Sequence, residues 1–272
     1  MIHVSKGKAG AVSFLHIYEA LSADAPKPTV IFFHGFKSAK ENNLHYAYLL
    51  AEKGFRVILP DCIHHGDRDS GLSSLELTQS FWEVVIQSIH ELEILKNHLI
   101  NERLTMEDEI GVAGTSMGAI ITFGALKKYP WIKAAVSLMG CPAYQEFAKW
   151  KIDQVLEMGF TLPFEEEQIK HYLDKLSAYD LALEPEKMNE RPVLCWHGSQ
   201  DQEVPAEPVI GFVKTLRGYY KNRPENISLI IDEQADHKVS RKGVLAAVDW
   251  FALHMGRRLK ANCKINSGGA FR

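Results

Sequence analysis

The sequence predicts an α/β protein with a mostly parallel central sheet and helices on both faces. Three observations predict it. Strand-like and helix-like segments alternate from Thr29 onward. The strand candidates are short, continuous apolar runs such as Thr29-Val30-Ile31-Phe32-Phe33, as strands buried on both faces require. The helix candidates between them are long enough to serve as crossovers, and such alternation produces parallel strands.

The elements follow in order. Ile2 to Val4 and Ala11 to Ile17 flank the turn residues Lys6 to Gly10 and read as a hairpin. Thr29 to Phe33 is a strand, Glu41 to Lys53 a helix closed by Gly54, and Arg56 to Pro60 the next strand. Ser74 to about Ile100 is one long amphipathic stretch. Strand Glu109 to Ala113, helix Ala119 to Lys128 and strand Ile132 to Met139 come next. The segment Cys141 to Arg191 then breaks the rhythm. At about 50 residues it is too long for a simple connection, and it is expected to be a helical cap inserted over the rim of a single domain spanning residues 1–272. Within it, Glu165-Glu166-Glu167 reads as a solvated helix start. Strand Pro192 to Trp196, helix Pro208 to Leu216, strand Ile227 to Ile231 and helix Arg241 to Leu259 complete the pattern.

Composition narrows the function. The chain has 272 residues, 46% hydrophobic and 24% charged, with a formal net charge of −3. No basic footprint exists, so nucleic acid is not an expected partner. The N-terminus lacks the apolar core of a signal peptide, and no run approaches 18 apolar residues, so no membrane segment is expected. Cys62, Cys141, Cys195 and Cys263 are widely spaced and form no CxxC pair. They read as reduced thiols of a cytoplasmic protein. Composition leaves room for a homodimer.

Right-handed crossovers place the strand C-terminal ends on one rim, where open α/β sheets carry their sites. Reactive residues are therefore sought just after each strand. Gly114-Thr115-Ser116-Met117-Gly118 lies between strand Ile110 to Ala113 and helix Ala119 to Lys128. A GxSxG pattern in a strand–turn–helix setting is the signature of a nucleophile elbow, which lifts the serine hydroxyl to a helix N-terminus. A serine nucleophile needs a general base oriented by a third group. The expected chain order is Ser, acid, His. Asp201 follows the strand ending at Trp196, and His237 follows the strand ending at Ile231. Asp232 and Asp236 compete for the acid role but lie very close to His237. His171 falls in the cap and His254 in the last helix, while His197 is expected to hydrogen-bond within its own turn. The oxyanion donors are assigned to the backbone N–H of Met117, directly after the nucleophile, and that of Phe36 in His34-Gly35-Phe36. His34 then packs beneath that loop.

Asp61-Cys62-Ile63-His64-His65-Gly66-Asp67-Arg68 also sits at a strand end. Its spacing matches no HExxH site, and no second ligand cluster accompanies it, so no metal is expected. It reads as a structural loop.

Taken together, His34-Gly35-Phe36, Gly114 to Gly118, His197-Gly198-Ser199-Gln200-Asp201 and the late His237 resemble the α/β-hydrolase superfamily over roughly residues 10 to 260. More narrowly, the chain resembles small bacterial esterases related to dienelactone hydrolase and to the catalytic domain of prolyl oligopeptidases. Two departures stand out. Position 116 is Ser where dienelactone hydrolases carry Cys, and the chain has no room for a propeller. The resemblance implies the α/β-hydrolase fold, no cofactor, and hydrolysis of small to medium carboxylic esters through an acyl-enzyme. It also implies that the cap shapes the pocket, for which Cys141, Tyr144, Trp150 and Phe160 are candidates. A peptidase or amidase using the same triad is the alternative. A non-catalytic binding module on this scaffold would be expected to lack a triad member.

Overall fold

The computed structural model describes residues 1–159 and 165–256. Among these, eight strands form one sheet: β1 (Ile2–Ala9), β2 (Val12–Glu19), β3 (Thr29–Phe33), β4 (Arg56–Pro60), β5 (Ile110–Thr115), β6 (Ala134–Leu138), β7 (Val193–Gly198) and β8 (Ile227–Asp232). Their order is β1-β2-β4-β3-β5-β6-β7-β8. The β1/β2 and β2/β4 pairs are antiparallel, and every pairing from β4 to β8 is parallel. The expected mostly parallel sheet is what the chain forms.

The helices are α1 (Leu44–Glu52), α2 (Ser74–Gln79), α3 (Phe81–Asn101), α4 (Met117–Lys128), α5 (Tyr144–Glu157), α6 (Glu166–Leu176), α7 (Glu207–Leu216) and α8 (Arg241–His254). Period-two alternation along the strands divides the core in two. Ile31 and Phe33 of β3 face a layer containing residues of α3, α4 and α7. Val30 and Phe32 face the opposite layer, built from α1 and α8. Both faces are thus covered, which is why β3 and β4 are buried at every position and apolar after their first residues, Thr29 and Arg56.

The hairpin forms, but β1 runs on to Ala9 through Lys6 to Lys8, expected in the turn, which instead pair with Ser13 to Leu15. Three helix boundaries also differ from the sequence expectation for physical reasons. The stretch from Ser74 is two helices, because Ser80 leaves helical geometry (ψ 2°) while its hydroxyl bonds the Glu76 carbonyl at 3.0 Å. The first turn of α1 is a tighter 3-10 turn over Lys40–Asn43. Helix α4 begins at Met117, two residues before Ala119, because the elbow feeds it without a linker.

The chain steps from β3 outward to β4 and then returns across β3 to β5. That reversal makes the C-terminal ends of β3 and β5 the switch point of the sheet, the place where open α/β sheets carry their sites. The segment 141–191 leaves the same rim after β6 and contains α5 and α6. Its base is tied to α4: Lys127 Nζ donates to the carbonyls of Ser177 and Asp180, and Arg191 to those of Leu126 and Tyr129. Glu165 caps α6 with a reciprocal Glu165/Gln168 pair, so the acidic run is a solvated helix start as expected.

Candidate active site

Ser116 occupies the turn between β5 and α4 with φ 53° and ψ −116°. A left-handed φ is unfavourable for a residue with a Cβ and marks backbone held under strain. Two glycines make the turn sterically feasible. A Cβ on Gly114 would lie 2.2 Å from the Gly118 carbonyl carbon, and one on Gly118 would lie 2.3 Å from the Phe33 carbonyl oxygen. The Ser116 N–H extends the β5/β6 ladder by donating to Leu138 O at 2.8 Å.

His237 and Asp201 meet the serine from the ends of β8 and β7. His237 Nε2 lies 2.8 Å from Ser116 Oγ, and His237 Nδ1 lies 2.7 Å from Asp201 Oδ2. A carboxylate only accepts, so Nδ1 carries the proton and Nε2 is left to accept the serine O–H. The side chain of Asp201 is fully buried while that of His237 is 27% exposed. The other carboxylate oxygen of Asp201 accepts from the N–H groups of Glu203 and Val204 at 2.9 and 3.0 Å. His197 Nε2 lies 2.8 Å from Val204 O and 3.3 Å from Asp201 Oδ2, donating within the turn as expected. Burial pushes the Asp201 carboxyl up, but hydrogen bonds from His197, His237 and Val204 outweigh it and hold the pKa well below the usual carboxylate range. The competing acids lie elsewhere: Asp232 accepts from the Gln234 N–H, and Asp236 is exposed.

The loop after β3 lies against the serine, with Gly35 facing Ser116 Cβ and Thr115 O at 3.6 Å from where its own Cβ would stand. Among the described residues, the N–H groups of Phe36 and Met117 donate to no protein acceptor. His34 is buried beneath this loop, as expected, and its Nε2 accepts the Cys62 N–H at 3.1 Å.

The Asp61 to Arg68 loop is a closed polar network. Asp61, fully buried, accepts from Ser13 Oγ, the Lys40 N–H, Lys40 Nζ and the Asp67 N–H. Arg68 pairs with Glu91 through two 2.7 Å hydrogen bonds. Among the described residues, no group of three or more His, Cys, Asp or Glu is placed to hold a metal.

The residues expected to line the pocket divide. Cys141 and Tyr144 are wholly buried, and the Tyr144 hydroxyl donates to Ile120 O at 2.5 Å and accepts the Gly124 N–H at 3.0 Å. Trp150 is half-buried and stacks on Phe147. Phe160 lies outside the described residues. Sequence reasoning missed Phe81, at the start of α3, whose ring meets Phe36 edge-on at 5.4 Å and Phe147 at 6.5 Å. It also missed Lys151, which lies over the Trp150 ring and 3.8 Å from Glu203 in the Asp201 turn. Neither carries a local sequence signal, since each reads as an ordinary position in an amphipathic helix.

A family model described as the prolyl oligopeptidase family matches residues 42–257. The chain belongs to that family. Two relatives match this chain over their whole length. "Putative esterase YitV" of Bacillus subtilis (strain 168) is 45% identical over 255 residues, covering 94% of this chain and 100% of that protein. "Esterase YjfP" of Escherichia coli (strain K12) is 28% identical over the same shares of the two chains. In three dimensions the chain is similar to TT1662 from Thermus thermophilus, with a TM-score of 0.73 at 19% identity, covering 94% of this chain and 98% of that one. The α/β-hydrolase fold and the family read from the motifs are both borne out. Among the described residues, no helix is long and apolar enough to cross a membrane.

Proposed function

We propose that this member of the prolyl oligopeptidase family is a serine carboxylesterase acting on small to medium carboxylic esters, with Ser116 as nucleophile. The observation that carries the reading is the unbroken relay from Ser116 through His237 to Asp201, at 2.8 and 2.7 Å. Ser116 attacks the ester carbonyl while His237 Nε2 takes its proton. Asp201 orients the imidazole and stabilises its charged form. The N–H groups of Phe36 and Met117 hold the oxyanion. His237 returns the proton to the leaving alcohol, then activates water to release the acid. The esterase names of two relatives that match over their full length support the ester as substrate.

Segment 141–191 acts as the cap over this rim. Its α5 supports that role by bringing Phe147 toward Phe81 and Lys151 toward Glu203. The enzyme works in the cytoplasm, a reading supported by buried free thiols at Cys62, Cys141 and Cys195.

A second reading, hydrolysis of small peptides or amides by the same triad, is favoured by the family's name. Two measurements decide. A fluorophosphonate probe labels wild type and leaves Ser116→Ala unlabelled, and that variant loses at least about a thousandfold in kcat. Unlabelled wild type, or equal labelling of the variant, sinks the mechanism and leaves a binding protein. Matched p-nitrophenyl esters and p-nitroanilides then separate the substrates; faster turnover of the anilides would replace the esterase reading with the amidase one.

A further inference from the structure

His65 is not used by the mechanism above, yet it is 4% exposed and fully engaged. Its Nδ1 lies 2.8 Å from Ile63 O, so this nitrogen carries the proton. Nε2 is then an acceptor and takes the N–H of Lys37 at 3.1 Å. The bond is half of a reciprocal arrangement. His34, on the loop after β3, accepts the Cys62 N–H from the loop after β4; His65, on the loop after β4, accepts the Lys37 N–H from the loop after β3. The two rings lie 5.2 Å apart. Phe36 stands between the anchored points. The peptide before it is fixed through Gly35 O, which accepts from His34 Nδ1 at 2.8 Å and from the Ser38 N–H at 3.2 Å. The peptide after it is fixed through the Lys37 N–H alone. Lys37 has φ 57° and His64 has φ 61°, so both loops hold non-glycine residues in the left-handed region beside this contact. Without the acceptor the Lys37 N–H has no partner among the described residues, and its left-handed geometry is held only by the Ser38-to-Gly35 turn bond and the Lys37 Nζ contact to Ser74 Oγ.

We propose that His65 is a positioning residue for the oxyanion donor, fixing the orientation of the Phe36 N–H by holding the next amide of the loop. This rests on the assignment of Phe36 N–H as an oxyanion donor. His65 touches no reacting atom. It acts through the backbone, so its loss should be felt in the tetrahedral state and not in the Michaelis complex.

The test compares His65→Phe, which keeps a ring against Phe36 and His34 but has no acceptor, with His65→Gln, whose carbonyl reaches the same amide. The readouts are kcat and KM on a p-nitrophenyl ester, and the inhibition constant of the matching trifluoromethyl ketone, which Ser116 converts to a tetrahedral oxyanion. In His65→Phe, kcat falls by about ten- to a hundredfold with KM within about twofold, less than the loss of a whole donor. Ketone affinity weakens by a similar factor, and His65→Gln recovers most of both. His65→Ala, which imposes no steric load, repeats the loss should the Phe variant not fold. Unchanged kcat in the Phe and Ala variants overturns the proposal. So does a kcat loss with ketone affinity intact, or a Gln variant no better than Phe. Absence of hydrolysis by wild type would instead fail the esterase reading, and the positioning role with it.

Discussion

Asp201 is the residue whose surroundings are most fully specified. Three groups donate to its carboxylate from within its own turn, and His237 supplies the fourth hydrogen bond. Asp201→Asn keeps the volume but turns one oxygen into an NH2. An amide nitrogen facing Nδ1–H would oppose donor to donor, forcing either the wrong imidazole tautomer or a displaced ring. The expected loss is about 10⁴ in kcat with KM little changed, as with the corresponding change in another serine hydrolase. Steady-state kinetics check it; a loss below about tenfold would return the acid role to Asp232 or Asp236. Ser116, Asp201 and His237 were legible in the sequence because each follows a strand end, so the fold supplies the three-dimensional neighbourhood that spacing alone cannot. Phe81 and Lys151 were not legible. Their proximity to the site depends on how α3 and α5 lean across the rim, and helix packing is set by side chains from several segments at once.

At the scale of elements, the parallel strands were read closely, the first strand was read too short, and the helix ends were read less closely. Val30 to Phe33 and Val57 to Pro60 are apolar throughout because both faces of the sheet are covered. Helix boundaries depend on local competition, as where Ser80 splits α2 from α3. Tyr144 shows the same limit. Its aromatic character and its position after β6 suggested a pocket wall, but its hydroxyl is inserted between the Gly124 N–H and the Ile120 carbonyl of α4, groups four residues apart that a helix ordinarily joins directly. This fastens α5 to the helix that carries the elbow. Tyr144→Phe is therefore expected to lower stability by about 1–3 kcal/mol while leaving kcat/KM within about twofold. Urea denaturation and ester kinetics on the same preparation measure both. A changed kcat/KM at unchanged stability would make Tyr144 a substrate contact after all.

The whole molecule carries its titratable groups in a way that fixes the sign of its pH dependence. Burial is the first cause at His34 and at His16, and each is held down to about 4. His34 accepts the Cys62 N–H through Nε2, and His16 Nε2 lies 2.6 Å from an Arg56 guanidinium nitrogen, so both rings are neutral in the fold. An unfolded histidine titrates near 6.5. Between about 6.5 and 4 the unfolded chain therefore binds protons that the folded chain refuses, and stability falls as pH falls through that window. Above it neither state is protonated at these rings and the effect vanishes. Asp201 acts in the same direction but lower. Its folded pKa is depressed, so its contribution is present above the ordinary carboxylate value and is lost only as pH drops below it. The urea midpoint should thus decline from about pH 6.5 downward before the Asp201 carboxylate contributes. His34→Gln, which keeps an acceptor for the Cys62 amide but cannot be protonated, should flatten the upper part of that decline. A midpoint independent of pH between 6.5 and 4.5, or an equally steep decline in the Gln variant, would show that the buried imidazoles are not what couples this fold to acid.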